Sequence, residues 1–274
     1  MTYRPKLKEL IISSKMKLPN FTDDFNEYLA LQKSMPILSK DTKNVIDKLQ
    51  YENTKIQEII EVIDRDPGLA IEIIKLANSA AFQDKSPVSS IKQAVLRLGT
   101  LNVLATTISY GLMSKLPDSI AGQLRSHSFW CGVFSKCLAT GTNMDSDMLY
   151  TSGLLHDIGI VIMLQFLSKI HYPLFENVGC INETDVFGIN HAEAGAIFLE
   201  SINIPKNVCD IVRNHHNNLS TKREIIVVSL AESLSSKKNG SCPDDVSSLI
   251  DIKEASEIVS SPSIKKILQI AEAS

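Results

Sequence analysis

The stretch SGLLHDIGIVIM, residues 152–163, decides the fold of this chain. Its first residues belong to a segment that we predict to be helical from Ser146 to His156, which places the adjacent pair His156–Asp157 at the end of that helix. The sequence contains no run of strict apolar and polar alternation long enough to predict a strand. We therefore expect an all-α protein.

Helical periodicity recurs along the rest of the chain. Asp66 is placed to cap a helix start, and Gly99 is placed to end a helix. Asn190 and Glu193 form a capping-box pattern, which makes His191 the first residue of a helix. Four isoleucines with helical spacing occupy one face of a further helix: Ile56, Ile59, Ile60 and Ile63.

The chain divides into four predicted parts. A boundary falls in KLPDSI at residues 115–120, and a break falls in KKNGSCPDD at residues 237–245. The parts are an N-terminal helical extension (1–29), an N-terminal helical half (30–117), an HD-like helical half that holds the histidines (118–235) and a C-terminal helical segment (236–274).

Composition and charge exclude some classes of protein. The chain has 274 residues, 44% of them hydrophobic, which is enough for a sizeable core. Its net charge is −3 and the charges are mixed along the chain, so no basic block of the kind that neutralises phosphates is present. We expect no direct binding of nucleic acid.

Cysteines and apolar runs predict a cytoplasmic protein. The five cysteines are odd in number and show no CxxC pair, so we expect buried thiols and neither a disulfide framework nor a zinc ribbon. The N-terminus has no apolar core of signal-peptide length. The longest apolar run, Ile158–Leu164, is too short to span a bilayer, and we expect no membrane association.

Seven side chains form a candidate metal site. Imidazole nitrogens bind divalent transition metals, an adjacent carboxylate can join them, and several helices of one bundle can supply the ligands. Taken singly, each histidine is more simply a hydrogen-bonded core residue, the aspartate a helix cap and the glutamate a solvated residue. The set is His127, His156, Asp157, His191, His215, His216 and Glu232, with His171 outside it.

The order of these residues resembles the HD superfamily of metal-dependent phosphohydrolases, and most closely its bacterial regulatory branch, the HDOD domain. The resemblance covers about residues 30–235 and includes Met35-Pro36-Ile37-Leu38 as the entry segment. The segments that carry it are DRDPGLAIEIIKLANSAAF (64–82), SSIKQAVLRLGTLNV (89–103), SGLLHDIGIVIM (152–163), GINHAEAGAIFLESINIP (188–205) and IVRNHH (211–216).

The resemblance implies an N-terminal helical bundle packed on an HD-like bundle, and a role in signal transduction. It implies that the six candidate histidine and aspartate residues occupy metal-ligand positions and hold one or two divalent transition metals (Fe, Mn, Zn or Ni). Glu232 stands where the HD pattern has an aspartate, so its carboxylate reaches one methylene further.

Two departures weigh against catalysis. Ile160 stands where many HD phosphodiesterases carry a lysine after HDxG, and residues 217–220 replace the Gly-Tyr-Pro motif of the cyclic-di-GMP phosphodiesterases. Arg213 is the one cationic residue near either His156–Asp157 or His215–His216, and Lys206 is more distant. A phosphoryl-transfer site normally supplies positive charge from metals, arginine or lysine.

Three functions follow from these patterns. The first is a non-catalytic regulatory module that binds a protein partner in trans or a small signal. The second is a metal-dependent phosphohydrolase or phosphodiesterase, whose catalytic residues the sequence does not identify. The third is a metal site kept as a structural element or as a sensor.

Overall fold

The computed structural model describes residues 20–31, 38–51, 54–79, 81–82, 86–140, 142–170, 183–217 and 220–238. In chain order its helices are α1 (Thr22–Leu31), α2 (Lys40–Gln50), α3 (Ile56–Ile63), α4 (Pro67–Ala77), α5 (Ile91–Met113), α6 (Asp118–Ala139), α7 (Ser146–Leu155), α8 (Ile158–Lys169), α9 (Glu183–Phe187), α10 (His191–Ser201), α11 (Lys206–Asn214) and α12 (Arg223–Lys238). Within these residues there is no strand, so the all-α prediction is confirmed.

The predicted helix ends are confirmed by their hydrogen bonds. The side chain of Asp66 accepts a hydrogen bond from the backbone N–H of Leu69 at 3.1 Å, which caps α4. The side chain of Asn190 accepts from the N–H of Glu193 at 2.9 Å, so His191 is the first residue of α10. Gly99 has φ 74° and breaks α5 into two helical pieces, a conformation that glycine adopts without strain.

The helices form two halves around one apolar core. In the N-terminal half, α2, α3 and α4 pack against α5. In the second half, α6 packs along α7 and α12, while α10 packs along α8 and α11. Contacts of α5 with α7 and α8 join the halves. This arrangement matches the helical bundle on an HD-like bundle that the sequence resemblance implied.

One helical stretch, Ser146–Lys169, is long and apolar enough to cross a membrane by length and composition. It is longer than the run Ile158–Leu164, because the structure joins α7 and α8 almost end to end. Its most apolar window is 83% buried inside the fold, which is typical of a core helix. The burial arises because α7 and α8 pack against helices of both halves.

Several predictions fall at the edges of the described residues. Helix α12 continues through Lys238, past residue 237 where a loop was predicted to begin. Most of the predicted extension (1–29), the entry segment before Leu38 and the C-terminal segment from residue 239 lie outside the described residues. The domain boundaries therefore stay predictions.

The described cysteines are consistent with free thiols. Cys131 and Cys209 are buried, and Cys137 is half-buried. Burial raises the pKa of the Cys209 thiol to about 11, so this thiol stays protonated at neutral pH. Cys180 and Cys242 lie outside the described residues.

Candidate metal centre

The structure brings all seven predicted ligands to one region between α6, α7, α10, α11 and α12. His127 lies in α6 and Glu232 in α12. The other five lie at helix ends: His156–Asp157 between α7 and α8, His191 at the start of α10, and His215–His216 just after α11. Their role as ligands stays a prediction, but their convergence is a property of the fold.

Two glycines let the helices meet closely at the His156–Asp157 corner. A Cβ atom on Gly159 would overlap the carbonyl oxygen of His191, so α8 and α10 touch through their backbones. A Cβ atom on Gly153 would lie 2.5 Å from Oγ of Ser135, which is too close. The side chain of Asp157 makes no cap hydrogen bond to α8. Its carboxylate is turned to the histidines instead.

The two carboxylate oxygens of Asp157 face two different groups of histidines. Oδ2 lies 3.2 Å from Nε2 of His156 and 3.4 Å from Nε2 of His127, and we call these two residues the Oδ2 group. Oδ1 lies 3.4 Å from Nε2 of His191 and 3.8 Å from Nε2 of His215. These two histidines and His216, whose Nε2 is 2.9 Å from Nε2 of His191, form the Oδ1 group.

Hydrogen bonds fix the tautomers of His156 and His215. Nδ1 of His156 donates to the carbonyl oxygen of Gly153 at 2.8 Å, and Nδ1 of His215 donates to that of Val212 at 2.6 Å. A carbonyl oxygen can only accept, so the proton of each neutral ring is on Nδ1. The Nε2 atom of each ring therefore carries a lone pair.

The same arrangement holds for His127 and His191. The hydroxyl of Ser235 donates to the carbonyl oxygen of Glu232 at 2.8 Å, so it accepts from Nδ1 of His127 at 2.9 Å. Nδ1 of His191 donates to the carboxylate of Glu183 at 2.8 Å. Four Nε2 atoms thus face the Asp157 carboxylate, and each carries a lone pair when its ring is neutral. Metal-binding histidines typically tie up their other ring nitrogen in this way.

A cation fits between these atoms. Nε2 of His127 lies 3.2 Å from Nε2 of His156, and when both rings are neutral with the proton on Nδ1, the two lone pairs repel each other. Nε2 of His215 is fully buried and has no hydrogen-bond partner among the described residues. A buried polar atom without a partner is costly, and a metal ion at this point would satisfy it.

The pKa values of several residues in the cluster are shifted from their usual range. Burial lowers the pKa of His156, but the charge of Asp157 and contacts with Cys131 raise it well above its usual range overall, so the protein without metal holds a proton on Nε2 of this ring. Burial raises the pKa of Asp157, but the charge of His156 and hydrogen bonds from His127 and His156 hold it well below its usual range. A metal ion at these atoms would displace the Nε2 protons.

Burial lowers the pKa of His191, but the hydrogen bond to Glu183 and the charge of Asp157 raise it overall. Burial and the neighbouring His216 hold the pKa of His215 well below its usual range. Neutral His215 is the form that binds metal.

His216 and Glu232 form the open side of the cluster. The side chain of His216 is 45% exposed, and its Nδ1 lies 3.7 Å from the carboxylate of Glu232. Glu232 also offers an oxygen near the ring nitrogens of His156 and His215. The longer arm of Glu232 therefore reaches the cluster.

Two residues that the sequence did not indicate contact the Nδ1 atoms of predicted ligands. Glu183 binds His191, and Ser235 binds His127. Glu183 lies in the short helix α9, eight residues before its partner, and Gly188 turns the chain between them with φ 79°. The acidic residue before the Gly188 turn is the one signal in the sequence that could have indicated this contact.

The cation nearest His215–His216 in the sequence, Arg213, is bound by two glutamates. The guanidinium of Arg213 donates to both carboxylate oxygens of Glu200, at 2.8 Å and 3.0 Å, and to Glu193 at 3.0 Å. Among the described residues, the ion pairs of Asp157 are all with histidines. Arg213 therefore supplies no free positive charge to the cluster.

Known proteins share this fold. A protein from Shewanella amazonensis SB2B, provisionally described as a metal-dependent phosphohydrolase, matches with a TM-score of 0.65 and 15% identity over 92% of this chain and 99% of its own. An HDOD domain protein of unknown function from Geobacter sulfurreducens matches with a TM-score of 0.56 and 20% identity over 91% of this chain and 93% of its own. At these identities the likeness shows the fold.

One relative was found by sequence. An uncharacterized protein from Treponema pallidum (strain Nichols) is 28% identical in an alignment of 180 residues that covers 62% of this chain and 35% of that protein. The match thus spans about a third of the relative's length.

The family comparison covers both halves of the described fold. The HDOD domain matches residues 35–218, from the entry segment through His156–Asp157 and His215–His216. The match includes every predicted ligand except Glu232. The chain belongs to the HDOD domain family.

Proposed function

We propose that this chain is a regulatory HDOD module that binds one or two divalent transition metal ions and acts on a protein partner without turning over a substrate. The observation that carries the metal site is the convergence of four Nε2 atoms on Asp157, one of them the unpartnered and fully buried Nε2 of His215. A hydrogen-bond network would satisfy that atom, and the described residues provide none.

The donor set supports a transition metal and room for two ions. Imidazole nitrogens with a carboxylate favour Zn, Fe or Ni, and the carboxylate oxygens also suit Mn. The Oδ2 group would hold one ion and the Oδ1 group the other, with Asp157 between them. Glu232 would complete the set.

The absence of turnover is inferred from charge. A phosphoryl-transfer site stabilises the developing negative charge with several cations. Arg213 is bound by two glutamates, and Ile160 occupies the position after HDxG where related enzymes carry a lysine. The residues described around the cluster thus support metal binding better than they support phosphoryl transfer.

A phosphohydrolase is the second candidate function. The arrangement of two histidine groups on one bridging carboxylate favours it, because two-metal hydrolases use such clusters. A bound metal would supply an activated water molecule and shield the charge of a phosphate. The 45% exposure of the His216 side chain gives solvent access to the Oδ1 group.

The regulatory role is supported by the family and by a structural relative. A protein from Marinobacter aquaeolei VT8, provisionally described as a signal transduction protein, shares the fold with a TM-score of 0.53 and 18% identity. The Treponema relative contains the matched region within a much longer chain. A module of this kind works by contact with another protein or domain, which we expect to be a signalling protein of a bacterial cytoplasm.

Elemental analysis of purified protein tests the metal site. We expect the wild-type protein to carry about one or two ions per chain, and Asp157→Asn, which keeps the shape of the side chain, to lose most of them. Asp147→Asn is a matched control, because Asp147 lies on the adjoining helix and pairs with Lys136 outside the cluster. Wild-type protein without metal, or equal metal in Asp157→Asn, would show that the proposal is wrong.

A turnover assay then separates the two functions. Metal-loaded protein is incubated with bis(p-nitrophenyl) phosphate and the release of nitrophenol is followed. We expect the same rate for wild-type protein and for Asp157→Asn. A faster, metal-dependent rate in the wild-type protein would reject the non-catalytic function and establish the phosphohydrolase.

A further inference from the structure

Glu183 makes three contacts to a single ligand residue. Its Oε2 accepts a hydrogen bond from the backbone N–H of His191 at 2.7 Å, and both of its oxygens lie 2.8 Å from Nδ1 of the same residue. The Glu183 side chain is 11% exposed, so water competes little for these bonds. Both the backbone and the ring of His191 are held by one carboxylate.

This contact uses the start of a helix. His191 is the first residue of α10, and its N–H has no acceptor inside that helix. Asn190 caps the N–H of Glu193 three residues on, which leaves the N–H of His191 for Glu183. A carboxylate at a helix N-terminus is also favoured by the helix dipole.

The position of Glu183 is set by α1. The carbonyl oxygen of Val186 in α9 accepts a hydrogen bond from the N–H of Phe21 at 2.7 Å. The ring of Phe25 lies 5.0 Å from the ring of Phe187, centroid to centroid. Both phenylalanine side chains are fully buried. Packing of α1 against α9 therefore holds the carboxylate in front of His191.

We propose that Glu183 is a positioning residue of the metal site, which fixes His191 in the tautomer with a free Nε2 and strengthens metal binding by the Oδ1 group. This inference rests on the proposed metal site. Glu183 does not touch the space between the Nε2 atoms. It acts through His191, because a carboxylate that accepts from Nδ1 keeps the proton there and makes Nε2 a better donor to a metal.

The tautomer is tested first, on protein freed of metal by a chelator. Histidine labelled with ¹⁵N gives distinct nitrogen shifts for the two neutral tautomers, and the His191→Gln spectrum assigns the signal. We expect the Nδ1–H form in the wild-type protein and a shift toward the Nε2–H form in Glu183→Ala. An unchanged His191 signal in Glu183→Ala would overturn the inference.

Metal affinity is tested second, by titration with Co²⁺ followed in the visible absorption spectrum. We expect Glu183→Ala to weaken Co²⁺ binding by about 10- to 100-fold. Glu183→Gln keeps a hydrogen-bond acceptor but loses the charge, so we expect its Co²⁺ affinity to lie between those of the wild-type protein and Glu183→Ala. Glu193→Gln is the matched control, because Glu193 lies on α10 and binds Arg213. We expect it to bind Co²⁺ as the wild-type protein does.

The outcomes separate the two proposals. Wild-type protein that binds no Co²⁺ contradicts the proposed metal site, whatever the tautomer of His191. If Glu183→Gln and Glu183→Ala both bind Co²⁺ as tightly as the wild-type protein does, the metal site stands and the role of Glu183 is overturned. Circular dichroism and the melting temperature verify that each variant is folded. If Glu183→Ala does not fold, the isosteric Glu183→Gln alone tests the role of Glu183.

Discussion

The Oδ2 group and the Oδ1 group differ in the groups that accept hydrogen bonds from the Nδ1 atoms of their imidazoles. In the Oδ2 group, Nδ1 of His127 and Nδ1 of His156 donate to neutral oxygens, the hydroxyl of Ser235 and a backbone carbonyl. In the Oδ1 group, His191 donates to the carboxylate of Glu183, and the ring of His216 is nearly half exposed. One group is held by helix packing and the other partly by charge.

The difference teaches that the two ends of Asp157 are unequal sites. His127 lies inside α6, which packs along α7 and α12. His156 lies at a helix end but is fully buried, whereas the ring of His216 in the Oδ1 group lies at a helix end and is nearly half exposed. We therefore expect the Oδ2 group to be the rigid position, and the Oδ1 group to be the one that responds to changes in α1 and α9.

The largest expected effect comes from Phe25→Ala. Removing this fully buried ring should lower the free energy of unfolding by about 3–5 kcal/mol, because it leaves a cavity between α1, α8 and α9. It should also loosen Glu183 and weaken Co²⁺ binding by the Oδ1 group. Urea denaturation and Co²⁺ titration measure the two effects.

Phe82→Ala is the matched control for Phe25→Ala. Phe82 lies before α5 in the N-terminal half and packs against Tyr150 of α7, with ring centroids 4.8 Å apart. We expect Phe82→Ala to cost stability and to leave Co²⁺ affinity unchanged. Equal weakening of metal binding by both variants would break the link between α1 and the Oδ1 group.

A smaller loss of stability is expected for Gly159→Ala. The added Cβ meets the carbonyl oxygen of His191, a backbone atom that cannot rotate away, so α10 must move from α8. Overpacking of this kind costs about 1–3 kcal/mol. We expect a lower melting temperature and loss of metal from the Oδ1 group, with the Oδ2 group retained.

Gly122→Ala separates this clash from the general effect of alanine. A Cβ on Gly122 in α6 meets no atom within 4 Å, so this change should stabilise the helix by about 0.5–1 kcal/mol. A melting temperature for Gly159→Ala as high as that of Gly122→Ala would contradict the close contact of α8 with α10.

Local signals in the sequence predicted much of this fold. The Asp66 cap, the Gly99 break and the capping of α10 by Asn190 depend on residues close in sequence, and all three are confirmed. The candidate ligands also came from local patterns, because His156–Asp157 and His215–His216 fall at helix ends that the sequence predicts.

The remaining features depend on contacts between distant helices. The pairing of Ser235 with His127 joins α12 to α6 across 108 residues, and no periodicity indicates it. Neutralisation of Arg213 requires α10 and α11 to lie side by side. The division of the histidines between the two oxygens of Asp157 likewise follows from tertiary geometry, which a single sequence does not determine.

Direct substitution of one ligand in each group tests the inequality of the two sites. We expect His127→Gln to remove the ion at the Oδ2 group and to lower thermal stability, because His127 is largely buried. We expect His216→Gln to weaken only the Oδ1 group and to leave the melting temperature of metal-free protein unchanged, because His216 is exposed. Metal stoichiometry and calorimetry measure both, and identical behaviour would contradict unequal sites.

The smallest expected effect is that of Ser235→Ala. Its hydroxyl accepts from Nδ1 of His127, as Glu183 accepts from His191, but it carries no charge. A neutral acceptor polarises the imidazole less than a carboxylate does, so Ser235→Ala should weaken Co²⁺ binding near the low end of the about 10- to 100-fold range for such changes, below the loss in Glu183→Ala. Parallel titrations of the two variants measure the difference. A larger loss in Ser235→Ala would reverse the comparison and make the Oδ2 group the one that depends on its outer partner.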